Sequence, residues 1–479
     1  MTFSQKLMCW ALSFVVCWIS SVSQGAYSSN LPDLGNSATR ILSPLEEQKL
    51  GRTILNEIKQ SVTLVEDNVI EDYIQTLGAR LVGTQPKVDY PFHFFILKED
   101  SINAFALPGG FIGVNTGLIA AAESESELSG VIAHEVAHVT QHHIARITEH
   151  MGRVQLSSIA GILAAALIGM KNPEMGSGAL ATTLAGSTQS LINFTRENEK
   201  EADFVGIQSL YRAGFDPYGM PSFFIRMQQA TRFYGDYPAY LQTHPLTETR
   251  RMEAYERAQT FPFKQIPDSL QFHLIKARLE AKNFKDAQSC VHHYETLLSK
   301  KTFRNETGAR YGYALALLAN KAPSEAQIQL KQLMSTHPNE PLFHLAFAQT
   351  LRDLETLKTA RLYLEKALKA HPNNPHLILQ LATYAILDGA PEEALILLKK
   401  HNTKRPKFKD HYKLIVDAYA KMQLPTKTHQ AQAEYYVIEG NFREALKQLE
   451  LAKAQGNLTK HQEQQILART EELKKYLPN

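Results

Sequence analysis

The sequence predicts an α+β chain that is mostly helical: a zincin-like metallopeptidase half with a small β-sheet, then an all-α tetratricopeptide-repeat solenoid. Three observations carry that prediction. His134-Glu135-Val136-Ala137-His138 places two histidines four residues apart in a helical setting. Between Tyr90 and Val114 the chain turns to strand-forming residues, interrupted by Pro108-Gly109-Gly110. In the C-terminal half, four positions recur every 34 residues.

Residues 1–26 read as a secretory signal. Lys6 supplies the basic start, Leu7 to Ile19 an apolar run too short for a membrane span, and Ser20 to Ala26 the small residues of a cleavage region. Cys9, Cys17 and both tryptophans leave with that segment, so Cys290 is the one cysteine of the mature chain. An exported protein with a single thiol holds no internal disulfide, which suits a bacterial periplasm. Charge is nearly balanced, with 51 basic and 48 acidic residues, and no nucleic-acid partner is expected.

Residues 27–262 form the expected metallopeptidase domain and 268–479 the repeat domain, with Pro262 and Pro267 marking the boundary. Ser43-Pro44-Leu45-Glu46 opens a helix to about Thr63, and Asp67 to Val82 reads as a second. Tyr90 to Lys98 reads as a strand, and Asn103 to Val114 as strand, turn and strand. The edge at Asn103, Ala104 and Phe105 offers main-chain hydrogen bonds to an extended peptide. Ser124 to Glu127 gives an acidic helix start, and Leu128, Val131, Ile132, Val136 and Val139 a helical apolar stripe.

On that helix His134 and His138 lie about 40° apart, one turn above the other, and both imidazoles reach one ion. Glu135 points aside, where a general base for water is needed. A catalytic zinc takes three protein ligands, so a further donor is required. Asn198 to Asp203 supplies candidates. Glu199 and Asp203 share one helix face, one to bind and the other to orient a histidine or donate a proton, but spacing alone does not separate Glu199 from Glu201. His142, His143 and His150 read as facing solvent or the helix end. Val154 to Met170 carries no charge and Ala179 to Phe194 almost none, which suggests a soluble flap that touches membrane or unfolded substrate.

Ala314, Ala348 and Ala382 keep the 34-residue register, as do Ala326, Ala360 and Ala394, then Leu330, Leu364 and Leu398, then Pro338, Pro372 and Pro406. That pattern marks tetratricopeptide repeats, with alanine where two helices cross closely and proline where the second helix ends. Weaker units at Asn283 to Ala287 and Gly440 to Ala445 flank these, the latter off register by 17 residues. Five or six helix pairs are expected, with an irregular connection near Gln423 to Gln430. Such a solenoid presents a concave face to a peptide or protein.

His134 to His138, the upstream Asn103-Ala-Phe-Ala-Leu-Pro-Gly-Gly110 and the downstream Glu199-Lys-Glu-Ala-Asp203 together resemble the HtpX-type zinc endopeptidases. The resemblance implies one zinc per chain on His134, His138 and Glu199, with Glu135 as base, Asp203 as second acidic residue and Glu201 as bystander. The family's His-Pro pair and following arginine map onto His244-Pro245 and Arg250. His244 would then be either a fourth ligand that keeps the enzyme latent or an oxyanion stabiliser, and Arg250 would pair with Asp203 or that oxyanion. With a signal ahead and repeats behind, the chain is similar to periplasmic members of the family. These act on unfolded or misassembled outer-membrane proteins and meet the β-barrel assembly machinery through their repeats. A second reading is a chaperone or adaptor with a closed peptidase site.

Overall fold

The computed structural model describes residues 43–151, 188–234, 238–401, 409–456 and 458–476. The expected signal segment lies outside these residues. So does the uncharged stretch from Val154, except for 188–194, which open a helix.

Helix α1 (Pro44–Ser61) starts at a capping box, in which Ser43 and Glu46 each bond the other's backbone N–H. Helix α2 (Asn68–Val82) is capped by the Asp67 carboxylate. Strands β1 (His93–Leu97), β2 (Ala104–Leu107) and β3 (Phe111–Asn115) form one sheet in the order β1-β3-β2. β1 runs parallel to β3 and β2 antiparallel to it. Pairing starts after Pro91 rather than at Tyr90, since proline donates nothing to a ladder. The turn between β2 and β3 is a single 3-10 turn, Pro108–Gly110. Gly109 there has φ 72°, and a Cβ would fall 2.4 Å from the Gln48 Cα of α1. Only glycine permits both the turn and that approach.

Helices α3 (Thr116–Ala121), α4 (Glu125–Thr140), α5 (His143–Met151), α6 (Thr188–Arg212), α7 (Gly219–Tyr234), α8 (Ala239–Thr243) and α9 (Glu248–Gln259) complete this half. α4 is its axis. Every residue of α4 except His138 and Thr140 is buried, beneath α2, α6, α7 and β2. A helix covered on all sides holds its side chains in fixed rotamers, which a metal site needs.

After an irregular stretch at 261–269, twelve helices follow among the described residues, α10 (Leu270–Asn283) to α21 (Lys460–Lys474). The alanines and leucines of the 34-residue register, from Ala314 to Leu398, are all 0% exposed. Each alanine fills a helix crossing and each leucine the seam beneath it. The irregular connection expected near Gln423 to Gln430 is absent. Met422 to Leu424 is a tight turn into a helix at Pro425–Glu439. The 17-residue offset brings no extra helix: the pairs begin at Leu270, Glu306, Pro341, Pro375, Lys409 and Phe442, about one repeat apart throughout, and Gly440 to Ala445 lies at the turn between the last two pairs.

The repeats curve back over α1 and α2. Ser269 and Tyr73 both bond Glu125; Arg278 and Lys282 hold Asp67; His376 meets Asp72 at 3.2 Å; Lys409 meets Glu66 at 3.3 Å; and Lys59 meets Glu439 at 3.7 Å. One apolar cluster runs from Val69 through α4 to Tyr384, so the two halves share a core. No described helix is long and apolar enough to cross a membrane.

Candidate metal centre

The structure brings His134, His138, Glu199 and His244 together, each offering one donor atom within 4.8 Å of all the others. His134 and His138 come from α4, Glu199 from α6, and His244 follows α8. His134 Nε2 lies 2.9 Å from His138 Nε2, 3.2 Å from His244 Nδ1 and 3.4 Å from Glu199 Oε2. Glu199 Oε1 lies 3.2 Å from His138 Nε2 and 3.1 Å from His244 Nδ1. A tetrahedral zinc with ligand atoms at about 2.0–2.2 Å spaces them by roughly 3.3–3.6 Å. The donor set fits such an ion, with three imidazoles and one carboxylate converging on one point.

The electrostatics point the same way. Burial alone would push His134 down, but Asp203 and Glu199 beside it carry it up to about 10. Two buried carboxylates thus draw positive charge onto a ring that faces other imidazoles. His138 is pushed down to about 4 by burial. Burial opposes ionisation of Glu199, yet His244 and His138 hold its carboxyl well below the usual range.

Behind the donors stand residues that fix them. His134 Nδ1 lies 2.9 Å from Asp203 Oδ1. Arg250, on α9 and only 2% exposed, forks onto Asp203 at 2.8 and 2.9 Å and reaches Glu199 with its third nitrogen at 2.9 Å. Of the two roles considered for Arg250, the structure gives it the pairing with Asp203. His244 stacks on Tyr240, with ring centroids 4.7 Å apart. Glu135 is fully buried, with no side-chain hydrogen bond among the described residues and with the backbone N–H of Ala106 on β2 beside its carboxylate. His244 Nε2 lies 3.4 Å from Glu135 Oε1, and burial raises the pKa of that carboxyl.

Two expectations need correction. His143 does not face solvent. It is 1% exposed, its Nδ1 lies 2.8 Å from His138 Nδ1, and its Nε2 meets Glu201, which Arg146 holds at 2.7 Å. His142 is also buried, between Glu47 at 3.1 Å and Asp89 at 3.1 Å. The cause is a sharp break after α4: His142 adopts φ 52°, turning α5 back toward the site. No glycine announces that turn, so the sequence hid it. The side chain of His150 lies outside the described residues. Asn103, Ala104 and Phe105 sit at the start of edge strand β2 with their side chains buried, and the Asn103 amide has no partner. Asn198, next to Glu199, is likewise buried and unpartnered. Sequence named Asn198 only as the start of the acidic segment and His143 only as a residue away from the site, and Tyr240, which belongs to no motif, not at all.

Comparison with known proteins adds to this geometry. Residues 68–258 match the model of Peptidase family M48. The β-barrel assembly-enhancing protease of Escherichia coli (strain K12) is 32% identical over 454 residues, covering 93% of this chain and 92% of that protein. The chain belongs to this peptidase family. The β-barrel assembly-enhancing protease of Yersinia pestis is 34% identical over 451 residues, at the same coverage of 93% and 92%. The mitochondrial metalloendopeptidase OMA1 of Schizosaccharomyces pombe is 30% identical over 178 residues, 37% of this chain and 50% of that protein. The chain is therefore a metalloendopeptidase, with the helical repeat region as part of the likeness to the longer relatives.

Proposed function

We propose that the protein is a zinc-dependent endopeptidase of the bacterial periplasm. It degrades misfolded or stalled outer-membrane proteins and assists their assembly beside the β-barrel assembly machinery. The observation that supports this most is the convergence of His134, His138 and Glu199 from two helices, with the buried Glu135 carboxylate on the same helix as the two histidines. Those three residues would hold the zinc. When bound, the ion supplies a Lewis acid that acidifies water toward a pKa of about 7 and polarises a peptide carbonyl.

The chain's own residues do the rest. Glu135, buried and without a side-chain hydrogen bond among the described residues, takes the proton of the attacking water and hands it to the leaving amine nitrogen. Asp203, 2.9 Å from His134 Nδ1, fixes the tautomer and the direction of that ring. Arg250 keeps Asp203 and Glu199 ionised in a dry site. The β2 edge, one layer from α4, receives the substrate as an extended strand. His244 fills a fourth protein position about the donor point, which supports a latent resting state over an oxyanion role.

Clients, compartment and partner come from the relatives' printed role in β-barrel assembly and from the expected signal segment. The concave repeats would select the clients. Glu135→Gln tests the reading. Turnover of an unfolded barrel protein by the purified full-length chain should fall about 10²–10⁴-fold, with the fold and metal content retained. Undiminished turnover would remove Glu135 as the base. Full rescue of envelope assembly in cells by that same variant would favour the adaptor reading.

A further inference from the structure

A cleft of about 760 Å³ separates α1 from the last turns of the repeat region. Its charge is uneven. Lys49, Arg52, Lys59 and Arg443 line it against two acidic residues, Glu57 and Glu439. Lys59 is spoken for, since its ammonium pairs with Glu439 and donates to that residue's carbonyl. Arg52 is not. Its guanidinium lies between two rings, 6.0 Å from the Phe111 centroid and 5.2 Å from that of Phe442, and among the described residues makes no hydrogen bond or ion pair with an oxygen. A guanidinium carries five donors in a planar fork, and one partly withdrawn from water with no acceptor is incomplete. Burial accordingly lowers its pKa. Arg443 and Lys49 stand at the exposed rim.

The walls describe the rest of the ligand. Phe442 stacks on Tyr476, with centroids 4.9 Å apart and 12° between planes, and Tyr476 remains 52% exposed. Tyr435 and Tyr436 line the same cleft. Asn56 and Gln60, one turn apart on α1, turn side-chain amides toward it, and an amide pairs with both halves of a peptide unit. Lipid phosphate or a free anion would use the cations but leave the amides and open rings without purpose.

We propose that this cleft is a peptide-docking site, separate from the metal centre, for an extended segment in which an acidic side chain neighbours an aromatic one. The carboxylate takes the Arg52 fork, bidentate and shielded by Phe111 and Phe442. The aromatic ring of the segment lies on Tyr476, and Arg443 and Lys49 attract the segment from solution. α1 also packs on the Pro108–Gly110 turn that leads from β2 to β3, so a docked client is held on the helix that supports the cleavage edge.

The test uses the full-length chain carrying Glu135→Gln, so that no cleavage intervenes. The probe is a short fluorescein-labelled peptide, acetylated and amidated, bearing Glu-Phe pairs; binding is read by anisotropy and is independent of metal content. Binding should weaken at least about 10-fold in Arg52→Gln, and a matched Gln-Phe peptide should lose as much on the unaltered cleft. Arg443→Glu, a rim change that leaves the packing of the turn alone, should weaken the Glu-Phe peptide severalfold and steepen no other property of the fold, as checked by circular dichroism. The proposal is overturned if the Glu-Phe and Gln-Phe peptides bind alike. It is also overturned if Arg443→Glu binds as tightly as its parent, or if no binding occurs up to about 1 mM.

Discussion

His244 differs from the other donors in its support. His134, His138 and Glu199 project from long helices, whereas His244 caps a five-residue helix, held by its backbone bond to Tyr240 and by stacking on that ring. A donor on a short element is the one that can leave while the rest stay. On the proposed reading, His244→Ala keeps its metal and cleaves an unfolded substrate faster, on the order of 10-fold if the blocked form dominates at rest. A fall of similar size with metal retained would instead make His244 an oxyanion stabiliser. Much at this scale was legible in the sequence, because His134, Glu135 and His138 are bound together by one helical turn. Glu199 and Glu201 were not separable by spacing. Their difference lies in rotation about α6: Glu199 enters the buried cluster, while Glu201 turns out to Arg146 and His143. His143 could not be read, because its approach to His138 depends on the left-handed backbone at His142.

At the scale of elements, the 34-residue register gave the helix pairs and their contacts together. Leu330, Leu364 and Leu398 are fully buried in successive second helices, so each stitches its own repeat to the next. Leu364→Ala removes buried methylenes from a seam with no room to collapse, and should cost about 2–5 kcal/mol of stability. Urea unfolding followed by circular dichroism measures it, and a cost below about 0.5 kcal/mol would mean the seam is loosely packed. The strand region was legible as strands but not as a sheet. β1 pairs directly and in parallel with β3, while β2, between them in sequence, takes the edge antiparallel to β3, and local residue pattern carries no information on that order. The offset at Gly440 was visible, yet its meaning was not, since spacing alone does not tell a turn between two helix pairs from a turn within one.

The whole molecule is closed by contacts between residues hundreds of positions apart, which no local pattern encodes. Asp67 and Glu66, just ahead of α2, meet Arg278 and Lys409 of the repeats, and Asp72 within it meets His376. Glu71, in the first turn of α2 and close to Lys409 and Asp410, is pushed up to about 7 by burial in this interface. Its ordinary value is 4.5, so the folded state binds the proton more tightly than the unfolded chain. The contribution is complete below about pH 4.5 and is lost as pH rises through 7. Glu71→Gln should therefore be more stable than the parent at pH 8, by roughly 1–3 kcal/mol, and indistinguishable from it near pH 4.5. Thermal unfolding at both pH values checks this; an equal offset at the two would show that the effect is packing rather than protonation.

The core of the account is that α4 and α6 grip one ion between them. Metal analysis of the purified full-length chain by inductively coupled plasma mass spectrometry tests this most directly. We expect about one zinc per chain, lost in the double variant Glu199→Ala, His244→Ala, which leaves two protein ligands where a catalytic zinc needs three. A chain that carries no stoichiometric zinc, or one that keeps it in that double variant, would contradict the account.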